Sequence, residues 1–215
     1  MGNEAGVERV LRNMPPLSVE MSLRSKRTLG KHLGVHGRGT ARARQVADGF
    51  VRLVEKTVLE YEASRQKLIE FMSDGAADDL FRAEDHFESC IQSLHRAIAY
   101  LDRLRSLGIR QTDGQAFVPR PRDLEVLRDE TKSKVRRFRD FAEHLDKDVI
   151  DGSLPYDAEV SIHLGWDVAT LNGAQIEYAD LARWIKQLHS FALHLSVVHL
   201  VVGEAPPRPT GENDV

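Results

Sequence analysis

Between residues 41 and 104 the apolar side chains return at every third or fourth position, and that period leaves little choice of fold. The first stretch carries Val46, Phe50, Leu53, Val54, Val58, Tyr61, Leu68 and Met72. At 3.6 residues per turn these project from one face, which predicts a long helix from about Ala41 to Met72. Ser73-Asp74-Gly75 should end it, and Asp78 or Asp79 should cap a second helix with the stripe Leu80, Phe87, Cys90, Ile91, Leu94, Ile98, Leu101 and Leu104, stopped by Gly108. A link this short between long helices predicts antiparallel neighbours.

Asp113-Gly114, Pro119 and Pro121 mark a loop that turns the chain around. A further helix is expected from about Pro121, with the stripe Leu124, Leu127, Phe138, Phe141, Leu145 and Val149 interrupted by Thr131 and Lys134. Asp151-Gly152 and Pro155 break it. Val160, Ile162, Leu164, Trp166 and Val168 then alternate as a strand does, Asn172-Gly173 supplies the two positive-φ residues of a tight turn, and Gln175 to Tyr178 completes a hairpin over 160–178. Trp166 there is either a lid on the core or a platform for a base. From Asp180, the stripe Leu181, Trp184, Ile185, Leu188, Ala192, Leu195 and Val198 predicts the last long helix, with Phe191 to Val202 read as its buried end. The expected fold is all-α: an up-and-down bundle of four long helices, with a short N-terminal helix and a small β-hairpin inserted before the last helix. Residues 1–40 form an N-terminal segment, 41–202 the bundle, and 203–215 a tail expected to be disordered.

A chain of 215 residues with 41% hydrophobic content can bury one substantial core. The single cysteine, Cys90, lies in an apolar stripe and reads as a small buried side chain. MGNEAGVERVLRNM has no apolar run to act as a secretory signal, and the Phe191 to Val202 stretch falls short of the roughly 20 residues a span needs, so a cytoplasmic protein without a membrane segment is expected. Gly6 stands where a myristoylation signal carries Ser or Thr. A net charge of −3 argues against general polyanion binding, but between Met21 and Ala47 there are seven basic side chains and no acidic one. Arg24, Lys26, Arg27, Lys31, Arg38, Arg42 and Arg44, interspersed with glycines, make either a cationic arm for an RNA backbone or a solvated loop.

No phosphate-binding loop, dinucleotide fingerprint or CxxC pair occurs, which disfavours nucleotide hydrolysis, nicotinamide redox chemistry and zinc ribbons. His189, His194 and His199 recur every five residues and would spiral around a helix. His86 and His95, with Glu84, Asp85 and Glu88 near the first, could bind a metal only with ligands from another helix. No metal or other cofactor is therefore expected.

Cleaving a phosphodiester without a metal needs a base for the 2′-hydroxyl proton, an acid for the leaving oxygen and a cation for the charge on phosphorus. The run Arg136-Arg137-Phe138-Arg139-Asp140-Phe141-Ala142-Glu143-His144 holds such groups within about two turns. An arginine followed by four to six residues and a histidine occurs here as Arg27/His32, Arg137/His144, Arg139/His144 and Arg183/His189, and Arg139 alone is followed directly by Asp on a late helix. Here the chain resembles the HEPN family, whose helical-bundle domains carry this motif.

The resemblance implies a dimeric, metal-independent endoribonuclease, a toxin or antiviral-defence component acting on RNA and held by an antitoxin or defence-system partner. It casts His144 as general acid/base, Arg139 or its rival Arg137 as the charge-stabilising cation, and Asp140 as their orienting group. The tyrosine that some members carry two residues after the histidine is Asp146 here, so control by nucleotidylation at that position is not expected. On a straight helix Arg139 and His144 point about 140° apart, while Arg137, Asp140 and His144 share a face. The competing readings are a non-catalytic protein- or RNA-binding module, in which Arg136–Asp140 and Glu143–Lys147 are plain ion pairs, and, more weakly, a metal-dependent enzyme around His86.

Overall fold

The computed structural model describes residues 4–19, 23–26, 41–107, 109–111, 123–154, 158–197 and 200–202. Helix α1 spans Glu4–Asn13 and α2 is a single turn at residues 23–26. The bundle is built from α3 (Ala41–Asp74), α4 (Ala77–Ser106), α5 (Asp129–Ile150) and α6 (Tyr178–Val197). Strands β1 (Ile109–Gln111) and β5 (Leu200–Val202) pair with each other, and β2 (His163–Leu164), β3 (Val168–Leu171) and β4 (Ala174–Glu177) form a second antiparallel sheet in that order.

Helices α3 and α4 form the antiparallel pair that the short link demands. Lys67 meets Asp79, Ser64 donates to the Ala83 carbonyl and Glu60 meets His86, so rising numbers on one helix face falling numbers on the other. Asp74, not Asp78 or Asp79, caps the turn: its Oδ1 accepts the Ala76 amide at 2.9 Å, and α4 has no side-chain cap of its own. Gly75, at φ 75°, makes the reversal. Where the helices meet, Phe87 of α4 stands edge-on to Phe138 of α5 (5.9 Å) and Tyr178 of α6 (6.0 Å), tying three elements at one buried point.

Helix α5 begins at Asp129 rather than near Pro121. A 3₁₀ turn, Glu125–Leu127, precedes it, and Arg128 at φ −67°, ψ 144° is extended, so the apolar phase of Leu124 and Leu127 is not carried into α5. Its buried seam is Thr131, Val135 and Phe138, continued by half-buried Ala142 and Leu145. Thr131 therefore belongs to the core, and Val149 is 51% exposed.

The region expected as one strand over 160–168 is divided. Val160 is exposed, β2 is two residues long, and the chain reverses through 165–167, where the Gly165 amide donates to the Val168 carbonyl at 3.0 Å. A Cβ on Gly165 would stand 3.0 Å from that same oxygen, which accounts for the glycine. The second turn is the expected one: Asn172 and Gly173 take φ 47° and 73°. Helix α6 then starts at Tyr178, two residues before Asp180. The stretch read as its buried end is not helical throughout: α6 stops at Val197, and Leu200–Val202 pairs with Gln111–Ile109 as an antiparallel strand. His199 and the tail from residue 203 lie outside the described residues.

Met14, Pro15, Leu17 and Arg24 are tied to α3 by its own side chains. Tyr61 donates to the Pro15 carbonyl, Arg65 to that of Met14, and Glu62 accepts the Leu17 amide. Buried Glu55 accepts both the backbone amide and the guanidinium of Arg24. Deleting the Arg24 side chain leaves that carboxylate short of a donor, so Arg24→Ala is expected to destabilise the fold by about 1–3 kcal/mol, read as a lowered urea midpoint at pH 7. An unchanged midpoint would return Arg24 to the solvated arm. Cys90 is fully buried, and burial pushes its thiol well above the ordinary range. No described helix is long and apolar enough to cross a membrane.

Candidate functional site

Helix α5 carries its charge on the faces the seam leaves over, and the structure sorts its arginines. Arg136, 72% exposed, reaches Asp140 one turn on at 3.5 Å. Arg139 is only 21% exposed; its guanidinium pairs with Asp140 at 3.0 Å and with Glu143, which thereby takes Arg139 rather than Lys147 as partner. Its Nε is buried with no hydrogen-bond partner among the described residues. Arg137 is exposed, with its guanidinium 5.6 Å above the Phe141 ring. His144 is exposed, and no described residue forms a hydrogen bond or ion pair with it.

Arg139 acts electrostatically on a different histidine. His95 of α4 is half-buried, and its imidazole is pushed below its ordinary value, first by burial and then by Arg139, with Asp140 and Glu143 acting in the opposite direction. From the sequence His95 offers itself only as a metal ligand, because no periodicity shows which faces of α4 and α5 meet. Beside it, a cavity of about 340 Å³ is lined by His95, Asp102, Lys132 and Arg136, and Lys132 is held by Asp102 at 2.6 Å.

A larger cavity, about 590 Å³, opens on the other side of α5, walled by Phe141, Leu145 and Asp148 and, across from them, by Glu159, Asn172 and Gly173. Two local motifs set its walls. At the end of α5 the Gly152 amide donates to Val149 and the Ser153 amide to Asp148, a Schellman closure that needs the φ of 62° at Gly152. On the sheet side, Asn172 and Glu159 bond reciprocally: the Asn172 amide donates to Glu159 Oε2 at 2.6 Å, and the Glu159 amide to Asn172 Oδ1 at 3.0 Å. This cavity was not foreseen, since its two walls are distant in sequence.

The other arginine–histidine matches fall differently. Arg183 is held by Glu125 through two bonds, at 2.7 and 2.9 Å, and by Asp180, while His189 is buried. Those bonds, Arg183 above all, hold the Glu125 carboxyl down at about 2. Arg27 and His32 lie outside the described residues, as do Lys31 and Arg38 of the basic arm. Arg42 and Arg44 are exposed in the first turn of α3, and Lys26 sits on α2. Trp166 is 43% exposed, and Arg9 of α1 lies 5.1 Å over its ring, so α1 already occupies one face of the proposed platform.

Around His86 the arrangement is a hydrogen bond between its Nδ1 and Glu60 Oε2 at 2.8 Å, and no three His, Cys, Asp or Glu among the described residues cluster to hold a metal ion. Glu84 nearby is pushed up to about 7, first by burial and then by Asp85. A carboxyl whose folded pKa exceeds its unfolded value favours folding most while both states are protonated. That contribution is lost as pH rises from about 4.5 to about 7. Glu84→Gln is therefore expected to raise the melting temperature at pH 8 and leave it unchanged at pH 4; equal shifts at both would rule out ionisation as the cause.

No protein-family model, curated protein or solved structure matches this chain.

Proposed function

We propose that the chain is a metal-independent endoribonuclease of the HEPN type, centred on Arg137 and His144 of α5. The observation that carries this reading is the stripe Arg137, Phe141, His144, Asp148. At about 100° per residue all four fall within roughly 60° of one another. Arg137 and His144 on it are open to solvent, whereas Arg139 is taken up by Asp140 and Glu143. The arginine that works with His144 is therefore Arg137.

In the reaction the ribose 2′-oxygen forms a bond to phosphorus as its proton passes to the His144 imidazole. The bond from phosphorus to the 5′-oxygen breaks, and that oxygen takes up a proton. The products are a 2′,3′-cyclic phosphate and a 5′-hydroxyl. Arg137 balances the charge that builds on the phosphoryl oxygens. Arg42 and Arg44, with the basic segment before them, supply the backbone contacts that hold RNA. A homodimer would bring a second His144 to serve as acid, and exposed Val149 and Ile150 at the end of α5 offer apolar surface for that contact. On this reading the protein acts in the cytoplasm, as a toxin or antiviral-defence component restrained by a partner protein.

The test is incubation of the purified chain with single-stranded RNA in excess EDTA. Fragments with 5′-hydroxyl ends, and resistance of a substrate carrying 2′-deoxyribose throughout, are expected. RNA that is bound but stays intact would support instead a non-catalytic RNA-binding module using the same face of α5.

A further inference from the structure

The 590 Å³ cavity shares two of its lining residues, Phe141 and Asp148, with the stripe that carries Arg137 and His144. His144 stands one turn from each: Phe141 is three residues before it and Asp148 four after. A group seated in the cavity therefore lies beside the catalytic pair. The lining has two kinds of surface. Phe141, Leu145 and Leu154 are apolar, and Arg137 packs over the Phe141 ring. Asp148 and Glu159 are carboxylates, and their commitments differ. Glu159 uses Oε2 on the Asn172 amide and Oε1 on the Thr170 hydroxyl at 3.4 Å, so it serves the wall. Asp148 receives only the Ser153 hydroxyl, on Oδ1 at 3.2 Å, which leaves Oδ2 unused among the described residues.

A flat group with an apolar face and adjacent N–H donors on one edge fits this combination. Among nucleobases, guanine alone presents N1–H and N2–H₂ side by side, which one carboxylate can accept together; uracil presents one donor, and adenine and cytosine present an amino group beside a bare acceptor nitrogen. We propose that this cavity is a guanine-binding subsite of the RNA site, with the base seated against Phe141 and Leu145 and Asp148 reading its Watson–Crick edge, so that cleavage falls beside guanosine. This assignment rests on the ribonuclease reading above. The Schellman closure at Gly152 and the Asn172–Glu159 bonds hold the walls in place without a ligand, so little ordering is asked of the protein when the base enters.

The experiment uses the full chain carrying His144→Ala, to prevent turnover, and five-residue RNAs of uridines with G, A, C or U in the centre. The G-centred RNA is expected to bind at least tenfold more tightly than the other three, and adding Asp148→Asn should erase that preference, bringing the ratio of G-centred to all-uridine affinity to about one. Equal affinity for all four overturns the subsite, as does a guanine preference that survives Asp148→Asn. Free guanosine monophosphate is titrated in parallel: binding as tight as the G-centred RNA would make the cavity a nucleotide site rather than part of an RNA site. The two readings fail separately. Wild-type cleavage without base preference removes the subsite and keeps the ribonuclease, whereas an Asp148-dependent guanine preference without wild-type cleavage removes the ribonuclease.

Discussion

Replacing His144 with alanine is expected to slow RNA cleavage by about 10²–10⁴-fold, the range that a positioned general acid or base contributes. The imidazole is exposed and unpaired among the described residues, so its loss should leave the melting temperature and RNA affinity where they were. Arg137→Ala should cost about 10²–10³-fold through lost charge stabilisation, again with an unchanged melting temperature. Arg139→Ala is the control that separates the two candidate pairs. Arg139 pairs with Asp140 and Glu143 beside His95, so its removal should act on stability and on the His95 titration, and cleavage per folded molecule should hold. Initial rates at saturating RNA, with filter-binding affinity and thermal melts on the same preparations, read all three. Should Arg139→Ala lose activity as deeply as His144→Ala with its melting temperature intact, the working arginine is Arg139.

Phe87→Ala should produce the largest loss of stability, about 3–5 kcal/mol from the transfer and cavity terms. Its ring is fully buried and touches one aromatic from each of two other elements, Phe138 and Tyr178. Edge-on pairs of this kind add about 0.5–1.5 kcal/mol each beyond buried area. Closing the cavity would require α4, α5 and α6 to shift together, which well-packed helices resist. Urea unfolding followed by circular dichroism should show a much lower midpoint with an unchanged slope. Phe87→Leu, which keeps most of the volume, should lose well under half as much. A loss under 1 kcal/mol for Phe87→Ala would mean that the three helices do not converge on this ring.

The bundle was legible in the sequence because its helices are long and their stripes keep phase. Phe50, Val54, Val58 and Tyr61 on α3, and Phe87, Leu94 and Leu101 on α4, are buried as their spacing requires. The reading failed where phase is broken by single residues. Extended Arg128 detaches Leu127 from α5, and the stripe expected there treats Thr131 as an interruption although it is buried, omits buried Val135 and includes exposed Val149. The strand expected over 160–168 alternates correctly at Ile162 and Leu164, but Gly165 reverses the chain, and no period reports a reversal inside its own window. The β1–β5 pair escaped because three-residue strands leave no pattern and their partners are far apart in the chain.

At the site, the wheel geometry of α5 already grouped Arg137 with His144. What it could not show was how far the side chain of Arg139 is buried, at 21% exposed, or the cavity beside Phe141, which depends on a turn at Asn172.

The order in which the bundle assembles follows from how far apart its partners lie in the chain. The α3–α4 hairpin is closed by a two-residue link and can form as soon as both helices exist, which makes it the natural folding nucleus. β1 must wait for β5, with Ile109 opposite Val202, and the Phe87 cluster must wait for Tyr178. During synthesis, the wall that Asn172 and Gly173 raise beside α5 is added only after α5 has emerged. A nascent chain would therefore carry Arg137 and His144 before the cavity beside them exists.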